Sequence, residues 1–186
     1  MRKIIYSMMV TLDGWIAGPR GELDWATIDR ELHEYVNDQE RTVDTHLYGR
    51  RTWEVMAAHW PTADTDPSSL DFEVEYSRIW KRMQKIVFSR TLQQVEGNAR
   101  LAREVSAAEI EKLKEEPGKD IAVAGADLAS TFMRLGLIDE YQLYVHPVVL
   151  GGGTPMFPGL DQPLELELIG TRTFGTGVVH LRYRTK

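Results

Sequence analysis

Two arginines and a threonine hydroxyl sit in the turn Tyr48-Gly49-Arg50-Arg51-Thr52-Trp53, directly after the extended run Val43-Asp44-Thr45-His46-Leu47. A strand that turns through glycine into a helix leaves backbone N–H groups unpaired at the positive end of the helix dipole, which suits a phosphate. An ordinary strand-to-helix turn with solvated arginines is the competing reading. Two further apolar runs end in similar fashion. Lys85-Ile86-Val87 passes into Phe88-Ser89-Arg90-Thr91, and the run from Ile121 passes into Val123-Ala124-Gly125-Ala126-Asp127. Three strand ends bearing small, hydroxyl or basic residues predict one ligand site, because open α/β sheets bind ligands at the carboxyl ends of their strands.

The other residues able to do chemistry carry two readings each. Asp13 follows the first apolar run next to Gly14, where an aspartate bonding its own backbone in a turn competes with a carboxylate offered to a substrate. Asp29 and His33 are one helical turn apart and share a face, either solvated or turned to a ligand. Gly125-Ala126 reads as tight packing of a helix on the sheet or as amides aimed at an anion. Gly151-Gly152-Gly153 is not a dinucleotide fingerprint, since Thr154-Pro155-Met156-Phe157-Pro158 follows and no helix begins. It is either a flexible connection or a place where backbone approaches a ligand closely. His33, His46, His59, His146 and His180 are scattered without metal-ligand spacing, which predicts no metal. The chain has no cysteine, so disulfides, thiolate zinc sites and a cysteine nucleophile are excluded. Neither a Gly-x-Ser-x-Gly element nor a Lys-bearing phosphate loop is present to support acyl transfer or nucleotide hydrolysis.

An alternating β and α chain has to position these residues. Strands are predicted near Lys3 to Val10, Val43 to Tyr48, Gln84 to Ser89, Asp120 to Ala124 and Tyr141 to Val148. The spacing of Ile28, Leu32, Tyr35 and Val36 predicts a helix from Ala26 to Arg41, and Thr52 to Ala58 a short one halted before Pro61. Another begins near Leu70 with Phe72, Tyr76, Ile79, Trp80 and Met83 on its apolar face. Ser106 to Glu115 opens on a capping box, and Leu128 to Leu135 ends at Gly136. After Tyr141 helices stop, and Leu164 to Ile169 and Val178 to Arg184 alternate as strands around the turn Gly175-Thr176-Gly177. Ala63 to Ser69 reads as a surface loop.

With 186 residues the chain is expected to form one domain, 1–186, large enough for a core of its own. Its net charge of −6 opposes binding to nucleic acid and points to compact ligands. The opening run Arg2-Lys3-Ile4-Ile5-Tyr6 is interrupted by Asp13 too soon for a signal peptide or membrane span, so a cytoplasmic protein with no membrane partner is expected.

The motifs also carry a family resemblance. Gly49-Arg50-Arg51-Thr52-Trp53 resembles a segment of dihydrofolate reductase, and Gly125-Ala126-Asp127-Leu128 its glycine pair ahead of a helix, with Ala126 in place of the second glycine. Thr11-Leu12-Asp13-Gly14-Trp15-Ile16-Ala17 and the run from Pro147 to Phe157 resemble the reductase domain of the bifunctional riboflavin-biosynthesis deaminase-reductase and its stand-alone relatives. The resemblance covers nearly the whole chain. It implies a dihydrofolate reductase-like three-layer α/β fold: a mixed, mostly parallel central sheet, helices on both faces, antiparallel strands at the C-terminus.

It further implies NADPH and hydride transfer to a small heterocyclic substrate, pterin-like or ribosylamino-pyrimidine-like. In that reading Arg50, beside Gly49 and Arg51, meets the 2′-phosphate, and Ser89 and Arg90 lie near the adenosine end. Thr52 and the amides of Gly125, Ala126, Asp127 and Leu128 meet the pyrophosphate. The loop from Thr11 to Ala17 covers the nicotinamide and substrate, with Asp13 bonding a polar substrate group, Ala17 closing on the cofactor ring and Trp15, Gly152 and Gly153 near the substrate. Trp25-Ala26-Thr27-Ile28-Asp29 resembles the pterin-holding arrangement of dihydrofolate reductase with one residue fewer, which makes Asp29 a second candidate acid beside its reading as part of a solvated face. A homodimer is implied as well. A noncatalytic nucleotide-binding protein on the same fold, and a true dihydrofolate reductase, stay open as alternatives.

Overall fold

The computed structural model describes all 186 residues. In chain order the elements are β1 (Ile4–Thr11), β2 (Trp15–Ala17), α1 (Arg30–Glu40), β3 (Val43–Gly49), α2 (Arg50–His59), α3 (Asp71–Arg82), β4 (Gln84–Phe88) and β5 (Ala99–Ala102). There follow α4 (Ala107–Glu115), β6 (Asp120–Ala124), α5 (Ala126–Arg134), β7 (Glu140–His146), β8 (Thr154–Pro155), β9 (Leu166–Thr173) and β10 (Val179–Thr185). Eight strands form one sheet in the order β5-β4-β3-β6-β1-β7-β10-β9. Every pair from β5 to β7 is parallel, and β10 runs antiparallel to both its neighbours.

Burial on both faces explains why the inner strands are apolar runs instead of clean alternations. On β1, Ile4 and Tyr6 pack with Ile110, Leu113 and Phe132 under α4 and α5. Ile5 faces the other way, with Val43 and Ala122, on the side covered by α1, α2 and α3. The dihydrofolate reductase-like three-layer architecture is therefore present, helices on both faces and the antiparallel strands last. No helix is long and apolar enough to cross a membrane.

Two departures from expectation have local causes. α1 starts at Arg30 and not at Ala26, because Asp29 takes the cap position and its carboxylate accepts from the Leu32 N–H at 3.0 Å. The register of β3 against β6 shifts between Val43 and Thr45, a bulge at Asp44. The extra residue turns His46 to the same side as Val43, where strict alternation would have put Thr45.

Candidate functional site

The three strand ends singled out by the sequence are neighbours. Gly49 pairs with Phe88 across β3 and β4, and Tyr48 with Ala124 across β3 and β6. The turns beginning at Arg50, Ser89 and Gly125 therefore leave the sheet side by side. Two helices start there, α2 after Gly49 and α5 after Gly125, and neither has a side-chain cap. By contrast α1 and α4, which start elsewhere, are capped by Asp29 and Ser106. The first helical bond of α5 is made by Ala129 to the Gly125 carbonyl at 3.0 Å, which leaves the amides of Ala126, Asp127 and Leu128 without a helical partner.

Gly125 has φ +99°, and a Cβ on it would lie 2.5 Å from Thr52 Oγ1. Only glycine lets these two turns close together. Leu128 contributes its amide alone, since its side chain is buried 3.7 Å from where a Cβ of Gly49 would stand. The Ala126 side chain is buried as well, and Asp127 is exposed. Arg50, Arg51 and Arg90 are exposed, with Arg50 3.7 Å from Glu54. Ser89 is buried and its Oγ accepts from the Leu92 N–H at 3.1 Å, which shapes the turn after β4.

The early and late motifs meet beyond the end of β1. β2 pairs antiparallel with β8, Trp15 opposite Pro155 and Ala17 opposite Thr154. Gly153, at φ +144°, permits this, because a Cβ on it would run into the Ala17 carbonyl. Gly152 has open space where its Cβ would be. Asp13 closes the junction. Its Oδ1 accepts from the Thr11 hydroxyl at 2.6 Å and the Leu150 N–H at 3.2 Å. Its Oδ2 accepts from the Gly151 N–H at 2.7 Å and the Trp15 Nε1 at 2.9 Å. These donors, the Thr11 hydroxyl foremost, hold the carboxyl down to about 2, so Asp13 is an anion at neutral pH.

Between the sheet and helices α1 and α2 lies a cavity of about 540 Å³, within the size range of small-ligand sites. Thr52 lines it, so the cavity and the strand-end turns share a wall. Trp25 lines it too, its ring edge-on to His146 at 5.4 Å and its Nε1 donating to the Glu22 carbonyl at 3.1 Å. Asp13 and Asp29 do not. Asp29 is occupied in capping α1, and His33 packs against the Phe72 ring at 4.7 Å, where burial lowers its pKa.

The family model described as the RibD C-terminal domain matches residues 2–180. The chain belongs to this family. The uncharacterized protein YyaP of Bacillus subtilis (strain 168) is 40% identical over 183 residues, covering 98% of this chain and 94% of the relative. Among solved structures, a Shewanella sp. PV-4 protein described as a riboflavin biosynthesis protein is similar with a TM-score of 0.76 at 24% identity, covering 100% of this chain and 99% of that one. A dihydrofolate reductase of Enterococcus faecalis complexed with NADP(H) is similar with a TM-score of 0.63 at 17% identity, covering 99% and 96%. At such identities these likenesses show the fold, and it is the dihydrofolate reductase-like one. The RibD C-terminal domain family is one of riboflavin-pathway reductases.

The sequence missed a hydrogen-bond chain on the wall of the cavity. Glu40, at the end of α1, meets His46 of β3, Oε2 to Nε2, at 2.7 Å. The other ring nitrogen of His46 bonds the Tyr48 hydroxyl, which accepts from Trp80 Nε1 at 3.1 Å. Glu40, His46 and Tyr48 all line the cavity. A scan for metal-ligand spacing passes over such a chain. The one sequence signal was a histidine inside a strand, next to the proposed phosphate turn.

Proposed function

We propose that this protein is an NADPH-dependent reductase that transfers hydride to a small heterocyclic substrate, pterin-like or ribosylamino-pyrimidine-like, held in the cavity between α1, α2 and the sheet. The observation that carries the reading is the meeting of two uncapped helix N-termini at Gly125 and Thr52, on a wall of that cavity. Anions stabilise such ends, and two of them side by side fit a pyrophosphate. Membership of a riboflavin-pathway reductase family and likeness to a dihydrofolate reductase complexed with NADP(H) support the choice of cofactor.

NADPH, when bound, supplies the hydride. The chain's own part is to bind, orient and exclude water. The free amides of Ala126, Asp127 and Leu128 and the Thr52 hydroxyl would hold the pyrophosphate, and Arg50, with Arg51 beside it, the 2′-phosphate. Ser89 and Arg90 would flank the adenosine. Asp13, fixed as an anion by four donors, would hold the Thr11 to Ala17 loop against the glycine-rich run and over the reacting ring. A homodimer belongs to the same proposal: β9 is an edge strand with Leu168 and Ile169 exposed, and pairing two copies would cover that edge. Sedimentation of the purified protein checks it.

The function is tested by offering NADPH with a panel of pterins, ribosylamino-pyrimidines and quinones, following cofactor binding by tryptophan quenching and turnover by loss of NADPH absorbance. Oxidation with at least one heterocycle is expected. Tight binding with no turnover across the panel would favour a noncatalytic nucleotide-binding protein, and absence of binding would remove the cofactor assignment.

A further inference from the structure

The chain from Trp80 to Glu40 has one arrangement of protons that satisfies every member. Trp80 Nε1–H donates to the Tyr48 oxygen, so the Tyr48 hydroxyl has its own proton to give, and His46 Nδ1 is the acceptor in reach. His46 then carries its proton on Nε2 and donates it to Glu40 Oε2 at 2.7 Å. Burial pushes the Tyr48 phenol well above its ordinary value, which keeps the hydroxyl proton in place. A protonated imidazole would leave the Tyr48 hydroxyl with no acceptor in the chain. The outcome is a neutral histidine that fixes a carboxylate.

That carboxylate has no counter-ion. His46 is its one salt-bridge-distance partner, and no Lys or Arg reaches it. Its Oε1 makes no hydrogen bond within the protein, and it lies on the wall of a cavity lined mostly by apolar side chains. A negative charge facing apolar surroundings is stabilised by a ligand that donates a hydrogen bond to it. Thr52, in the first turn of α2 beyond the carboxyl end of β3, lines the same cavity and is a hydroxyl where Glu40 is a carboxylate. His46 stands three residues before Gly49 on β3, so about 10 Å separates the carboxylate level from the strand end at roughly 3.3 Å per residue. One or two fused rings span that length.

We propose that Glu40, held by His46 and Tyr48, is the substrate-recognition residue of this cavity, and that it selects ring compounds whose inner end carries a nitrogen-borne hydrogen-bond donor while rejecting those whose inner end is anionic. The proposal rests on reading the cavity as the substrate's place. The bulge at Asp44 is what brings His46 to the cavity side of β3, and so completes the chain.

The test needs neither NADPH nor turnover, so it fails or succeeds apart from the reductase reading. Wild type and Glu40→Gln are titrated with 2-aminopyridine, pyridine and pyridine-2-carboxylate, read by the fluorescence of the cavity residues Trp25 and Trp60, with thermal unfolding recorded for each variant. Wild type is expected to prefer 2-aminopyridine over pyridine by about tenfold, the scale of a charge-assisted hydrogen bond, and to bind the carboxylate weakest. Glu40→Gln keeps an acceptor for His46 yet removes the charge, and is expected to lose most of that preference with pyridine binding unchanged. If Glu40→Gln does not fold, Tyr48→Phe, which frees His46, is expected to narrow the same preference. No preference in wild type, or the same preference in the folded variant, overturns the proposal.

Discussion

Gly125 and Thr52 close on each other so tightly that a Cβ on the glycine, at φ +99°, would stand 2.5 Å from the threonine Oγ1. They belong to turns leaving the adjacent strands β6 and β3, so the contact sets how close the starts of α5 and α2 come. Gly125→Ala is expected to cost about 1–2 kcal/mol from the backbone conformation alone, with displacement of Thr52 added to it. Part of the cost is steric and shared. Thr52→Ala in the same chain should therefore relieve it, giving a coupling of at least about 0.5 kcal/mol in a double-mutant cycle by denaturant unfolding. Additive effects would mean that the two turns do not constrain each other.

Arg50 stands at the first position of α2, exposed, with Glu54 at 3.7 Å as its only ion partner. If it meets the 2′-phosphate, Arg50→Ala should weaken NADPH binding by roughly 1.5–3 kcal/mol and leave NADH nearly unchanged, because NADH lacks the group that makes the charge-assisted bond. Tryptophan quenching titrations with both cofactors check this. Equal losses for the two would take Arg50 out of that role.

Legibility in the sequence followed how local each determinant is. The span Asp120–Ala124 is an apolar run bounded by turn residues, and it is a strand with those limits in the structure. The three strand ends were readable because each is written in consecutive residues, and the parallel sheet makes them neighbours. β5 was not foreseen, being four residues, Ala99–Ala102, behind the turn Glu96-Gly97-Asn98. The Glu40–His46 pair depended on a bulge that no alternation pattern announces, and its members sit on a helix end and a strand. Asp13 was readable as a turn residue. Its bonds to Leu150 and Gly151, more than 130 positions away, were not.

Lys85, on β4, is 3% exposed and has no carboxylate partner. Its ammonium lies 4.0 Å above the Trp80 ring and donates to the Trp80 carbonyl, and burial still lowers its pKa from 10.5 to about 8. Between those two values the unfolded chain holds the proton that the folded chain has released, so stability rises with pH from about 8 to 10.5. Below about 8 the cost of the buried charge is present in full. Lys85→Met, similar in length and uncharged, should therefore stabilise the protein at neutral pH by on the order of 1–3 kcal/mol. The gain should shrink as pH is raised through that window. A variant less stable than wild type at neutral pH would mean that the contacts with Trp80 outweigh the burial cost.

Asp13→Asn bears on the loop that joins the early and late motifs. Both carboxylate oxygens accept two hydrogen bonds, from Thr11 and Leu150 on one side and from Trp15 and Gly151 on the other. An asparagine keeps one acceptor and turns an NH2 group toward a backbone N–H, so it cannot stand in silently even though its shape is nearly the same. The thermal midpoint of Asp13→Asn is expected to fall. Its pH dependence fixes the cause. A carboxyl whose pKa drops from 3.8 to about 2 on folding contributes its stability in full above 3.8 and loses it as pH falls through about 2. The gap between wild type and variant should thus be constant near neutrality and close as the pH is lowered across that interval. NADPH affinity should be nearly unchanged, because the bonds lost join the Thr11 to Ala17 loop to Leu150 and Gly151 and none of them involves a residue proposed to hold the phosphates. A variant with the wild-type midpoint but lost turnover would instead assign Asp13 to the substrate itself, since a purely positioning carboxylate cannot be replaced without loosening what it holds.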